Sequence, residues 1–114
     1  MSHNEIIEII NSKEYIRDNT ISNLQIYFSN GINVKLRLQD RDLKSLELDF
    51  LNVKSYNISG SDDFDKNGIL VTHYKFFVSE DGFVYFSFDP IDEEKIIDEN
   101  DNNFILSKSV NLFC

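Results

Sequence analysis

The stretch that decides the fold is Leu24-Gln25-Ile26-Tyr27-Phe28-Ser29-Asn30-Gly31-Ile32-Asn33-Val34-Lys35-Leu36-Arg37-Leu38. Apolar and polar residues alternate on both sides of Ser29-Asn30-Gly31, the period of two that belongs to half-buried strands, so the segment reads as a hairpin. Burial selects its register. A two-residue Asn30-Gly31 turn sets Phe28 against Asn33 and Ile26 against Lys35, whereas a three-residue loop sets Phe28 opposite Ile32, Ile26 opposite Val34 and Leu24 opposite Leu36. Only the second keeps one face apolar, because a slip of one residue turns every side chain over. Gly31 is then the left-handed bulge residue of the loop.

The next connection obeys the same logic. Closing the chain across Arg41 to Leu43 puts Leu38, Leu36 and Val34 opposite Leu46, Leu48 and Phe50, and the same register puts Arg37 opposite Glu47 and Lys35 opposite Asp49. Past Phe50 the alternation slips at Leu51 and Val53, which predicts a bulge before Tyr56 and Ile58. After a polar stretch from Ser59 to Gly68, Ile69 to Val78 and Phe83 to Phe88 read as another strand pair around Glu80-Asp81-Gly82. Val78 meets Val84, Phe76 meets Phe86 and Tyr74 meets Phe88 on the inner face; the outer face carries Phe77 with Tyr85, Lys75 with Ser87 and His73 with Asp89. Phe28, Phe50, Phe76, Phe86 and Phe88 fall on inner faces, and Tyr27 on the outer one. Asp89-Pro90 before Asp92 reads as a helix start, giving one or two turns over Ile91 to Asp98, and a last strand runs from Phe104 to Phe113.

At the N-terminus, Ser2 and Glu5 form an S-x-x-E capping box ahead of Ile6, Ile7, Ile9 and Ile10. The segment from Ser2 to Arg17 reads as an amphipathic helix, with a strand as the alternative because β-branched side chains lose rotamers in a helix. The 114 residues make one domain, 1–114, of class α+β: a meandering antiparallel sheet of about six strands with an N-terminal helix. A small β-sandwich or partly open barrel is the alternative.

Composition narrows the function classes. The chain is 41% hydrophobic and 27% charged, has one cysteine, Cys114, and shows neither a leader-like start nor a membrane-length apolar run, so a soluble cytoplasmic protein without an intrachain disulfide is expected. A net charge of −9 disfavours nucleic acid and anionic membrane as partners. That charge is local: up to Asn57 there are 8 acids and 7 bases, and beyond it 12 acids and 4 bases. From Ser79 to Asn103, nine acids face Lys95 alone. Such a run is either a solvated face or a docking surface for a basic partner.

Nucleophile elbows, phosphate-binding glycine loops and zinc spacings are absent from the sequence, so neither a catalytic residue, a resident metal nor a cofactor is expected. His73 beside Asp89 would be an orienting pair without a nucleophile, hence a surface ion pair, and the terminal Cys114 is poorly placed to supply one. Asp63-Phe64-Asp65-Lys66-Asn67-Gly68 matches the opening of a calcium loop, but its twelfth position is Tyr74 where a bidentate Glu is needed, so a stiff Asp/Asn/Gly turn explains it as well. Aromatic residues on the outer face with acids at the rim have the composition of an interface.

The run L-E-L-D-F-L-N-V-K-S at 46–55, the hairpin ending F-S-F-D-P-I-D-E-E at 86–94 and the final strand resemble small acidic bacterial immunity-type proteins of polymorphic toxin systems, over the C-terminal two thirds of the chain. The resemblance implies an inhibitor that neutralises a basic protein toxin, such as a nuclease, with no catalytic residue of its own. On the present sequence Phe77, Tyr85, Asp89, Asp92, Glu93 and Glu94 are the expected partner-binding residues. The alternatives are a generic protein-interaction or structural domain, including a homo-oligomer joined through a sheet edge, and thirdly a calcium-binding module.

Overall fold

The computed structural model describes residues 2–42, 44–59 and 68–113. Among these residues one helix, α1 (His3–Lys13), precedes seven strands: β1 (Thr20–Phe28), β2 (Ile32–Gln39), β3 (Ser45–Asn57), β4 (Ile69–Leu70), β5 (Lys75–Val78), β6 (Val84–Asp89) and β7 (Asn102–Phe113). Helix α1 starts where Ser2 Oγ accepts the Glu5 N–H at 3.2 Å. It ends at Glu14, whose left-handed backbone (φ 50°) turns its N–H back onto the carbonyls of Asn11 and Ile10. Ile6, Ile7 and Ile10 bury one face of the helix, so tertiary packing outweighs the modest helix propensity of isoleucine.

All neighbouring strands are antiparallel, in the order β4-β1-β2-β3-β7-β6-β5. The registers expected for β1 with β2 and for β2 with β3 are those observed, from Phe28 against Ile32 through Arg37 against Glu47. The bulge in β3 falls between Val53 and Ser55. β1-β2-β3 and β5-β6-β7 are each a meander, and β3 with β7 joins them; the sheet is therefore not one continuous meander.

The expected strand from Ile69 to Val78 is two strands. Ile69 and Leu70 pair with Ile21 and Thr20 at one edge of the sheet, while Lys75 to Val78 form the other edge. This split dictates the overall shape. Seven flat strands have outer axes about 29 Å apart at ~4.8 Å per gap, yet five residue steps from Leu70 to Lys75 reach only about 18 Å. The sheet must therefore curl, and it forms a half-barrel, uniting the α+β class with the open-barrel alternative. Val71 secures the crossing by hydrogen bonds with Asp18 (2.7 Å) and Asn19 (2.9 Å).

The concave side holds the core, which α1 covers through contacts with β5 and β7. Phe86 stacks on Phe50 with ring centroids 5.5 Å apart and meets Phe76 edge-on at 5.3 Å. Ile6, Ile10, Ile16, Ile21, Leu36 and Leu48 are fully buried around them, each contributing on the order of 1.5–3 kcal/mol by area. Phe28 departs from expectation: its register faces inward, but it lies at the end of β1 beyond the core and is 80% exposed. Among the described residues no helix is long and apolar enough to cross a membrane.

Candidate protein-binding surface

Between Asp89 at the end of β6 and Asn102 at the start of β7, residues 90–101 fold back as a strap over the outer face of β5 and β6. The expected helical turns over Ile91 to Asp98 do not form. Side chains take the local N–H groups instead: Asp92 accepts from the Glu94 N–H at 3.0 Å and Asp98 from the Asn100 N–H at 2.9 Å, the Asx geometry that competes with a helix.

The strap is fastened by Asp101, whose carboxylate is buried. It accepts from Lys75 Nζ at 2.9 Å, from the Tyr85 hydroxyl at 2.7 Å, and from the N–H groups of Ile91 (3.0 Å) and Asp98 (3.3 Å). Lys75 Nζ also donates to the Ile96 carbonyl at 2.8 Å and lies 3.4 Å from Asp92. Burial alone would raise the Asp101 pKa, but its donors outweigh that and hold it below the ordinary carboxylate value. Burial likewise opposes the Lys75 charge, and Asp101 and Asp92 overcome it, so Lys75 titrates above a free lysine. The Tyr85 hydroxyl is pushed well above its usual value by burial and then by Asp101. A second fastening is the clasp of Arg17 on Glu93, with parallel bonds of 2.7 and 2.9 Å, which holds Glu93 low while Arg17 rises.

This cover corrects the expected partner-binding set. Phe77 and Tyr85 are 8% and 1% exposed, their rings tilted against each other with centroids 5.3 Å apart under the strap, so they do not present anchors to a partner. Asp92 and Glu93 keep some exposure but are committed to Lys75 and Arg17. Asp89 and Glu94 are exposed, and among the described residues their carboxylates make no hydrogen bond or ion pair; the same holds for Glu80, Asp81 and Glu99. His73 does not meet Asp89, because β5 begins only at Lys75; its Nδ1 lies 3.2 Å from Thr72 Oγ1, and Asp89 pairs with Asn102.

The strap turns other apolar residues outward. Ile91, Ile96 and Ile97 are 58%, 60% and 46% exposed, with acids on either side of them in the chain. Ile96 and Ile97, with Lys95, Phe77 and Val78 and with Glu80 and Asp81 of the β5–β6 turn, line an open cleft of about 370 Å³. Sequence reading missed this surface because it assigned the isoleucines to a helix. The one available signal was Lys75, a lone cation on a face otherwise carrying Phe77 and Tyr85.

Among the described residues no group of three or more His, Cys, Asp or Glu side chains is arranged to hold a metal ion. The loop from Asp63 to Asn67 and Cys114 lie outside the described residues. No protein-family model, curated protein or solved structure matches the chain.

Proposed function

We propose that this chain is a non-catalytic, cytoplasmic immunity-type protein that binds and neutralises a basic toxin, of the nuclease class, through the strap and the adjoining β5–β6 turn. The reading is supported chiefly by one arrangement: Ile96 and Ile97 stand exposed beside a cleft lined also by Glu80 and Asp81, whose carboxylates, like that of the exposed Glu94 on the strap, have no partner among the described residues. An apolar centre with a charged rim suits a protein interface. A nuclease groove is positive because it must hold phosphates, so these carboxylates can occupy the same potential and accelerate encounter. Ile96 and Ile97 take the anchoring role first expected of Phe77 and Tyr85. Lys75 and Arg17 hold the strap against the sheet, which limits the ordering entropy lost on binding.

The test is co-expression with a basic nuclease toxin taken from a neighbouring reading frame, scored by relief of toxicity and of nuclease activity. It is paired with stopped-flow association of the two purified chains. The rate is expected to fall at least ~10-fold between low and high salt, and joint Glu80→Gln, Asp81→Asn and Glu94→Gln substitution should reproduce that fall at low salt. A rate indifferent to both changes, or toxicity that persists, would overturn the proposal.

A further inference from the structure

The two edges of the sheet are treated differently. At the β5 edge, Asn11 Nδ2 of α1 donates to the Phe76 carbonyl at 2.9 Å and Glu93 accepts the Tyr74 N–H, so the helix and strap cover it. At the other edge, among the described residues, β4 pairs only with Thr20 and Ile21, and Asn23 to Phe28 of β1 have a neighbour on one side alone, β2. Exposed edges are ordinarily blunted by lysines, prolines or inward charges. Here residues 19–34 contain no charged residue at all, in a chain carrying −9, and the edge exposes Ile26 (39%) and Phe28 (80%).

We infer that β1 is a dimerisation edge and that its occupant is a second copy of this chain, added antiparallel about a two-fold axis. Charge favours that occupant: two strongly acidic molecules approach with least repulsion along their uncharged stretch. The strand is also self-complementary. With the axis at Ile26, Ile26 faces its twin and Leu24 faces Phe28 of the other copy on both sides, so one face of the new ladder is wholly apolar. That ladder spans residues 24–28 of each copy and stops short of Ile21, where β4 occupies the edge. The inference is independent of the strap, which lies over the strands at the opposite edge.

Sedimentation equilibrium of the full chain over about 5–200 μM is expected to approach twice 13.3 kDa. Ile26→Lys and Phe28→Lys should each return it to the single-chain mass with an unchanged far-ultraviolet circular dichroism spectrum; Phe28 is so exposed that its replacement keeps the test valid if Ile26→Lys misfolds. In a Cys114→Ser background, Ile26→Cys should crosslink to its twin on oxidation and Gln25→Cys should not, since directly opposed residues lie within disulfide reach. A single-chain mass throughout, a dimer that survives Phe28→Lys, or the reverse crosslinking pattern would overturn the inference.

Discussion

Lys75 and Asp101, 26 residues apart in the chain, form an ion pair at 2.9 Å with side chains 1% and 0% exposed. A carboxylate so deeply buried is tolerable only while its donors are present. Lys75→Met keeps the stem's packing but leaves Asp101 without its cation, and should cost about 3–5 kcal/mol in urea unfolding. Tyr85→Phe removes a single donor and should cost about 1–3 kcal/mol. Hydrogen exchange at the Ile91 and Asp98 amides should accelerate in Lys75→Met before that of the core strands. A variant as stable as the wild type would show that the latch carries no stability.

The same groups shape the pH dependence. Asp101 and Glu93 are held below the ordinary carboxylate range, so their stabilisation is complete above the unfolded value of ~4 and disappears as pH falls through the lowered values. On the alkaline side, the bond from Tyr27 to Asp49 (2.7 Å), then burial, push the Tyr27 hydroxyl up to about 12, and Tyr85 and Lys75 are raised too. These contributions are intact below pH ~10 and are lost as pH climbs above it. Thermal melts should therefore show a plateau between about pH 5 and 9 and decline on both sides. The absorbance titration of Tyr27 should lie about two units above that of tyrosine in a short unstructured peptide.

The crossing that curls the sheet depends on Gly68. Its backbone is left-handed (φ 77°), and a Cβ there would run into the carbonyl oxygen of Ile21. Gly68→Ala should lower stability by roughly 1–3 kcal/mol and release β4 from β1, read by calorimetry and by exchange of the Val71 amide.

The strap isoleucines separate binding from folding. Ile96→Asp and Ile97→Asp remove exposed apolar surface and should alter stability by no more than about 0.5 kcal/mol. Affinity for the toxin should nevertheless fall by about 2 kcal/mol or more, roughly 30-fold, if these side chains anchor the interface. Unchanged affinity in both would place the contact elsewhere.

The hairpin registers were readable in the chain because each rests on local information: a period of two, a short loop, and apolar pairs on one face that agree with ionic pairs on the other, as for Leu36 with Leu48 and Arg37 with Glu47. The helix was readable for a similar reason, its cap and first turn lying within four residues. What tertiary structure alone decided are the pairings between distant segments. Ile69 to Val78 has the pattern of one strand, yet the chain must cross between sheet edges within it, and only curling makes that crossing short enough. Phe77 and Tyr85 belong to an outer face that would meet solvent on an isolated hairpin, and they are buried because Asp101, far along the chain, brings a polar segment down onto Lys75. Alternation along a strand tells which side a residue faces; whether that side meets water depends on what the rest of the chain lays over it.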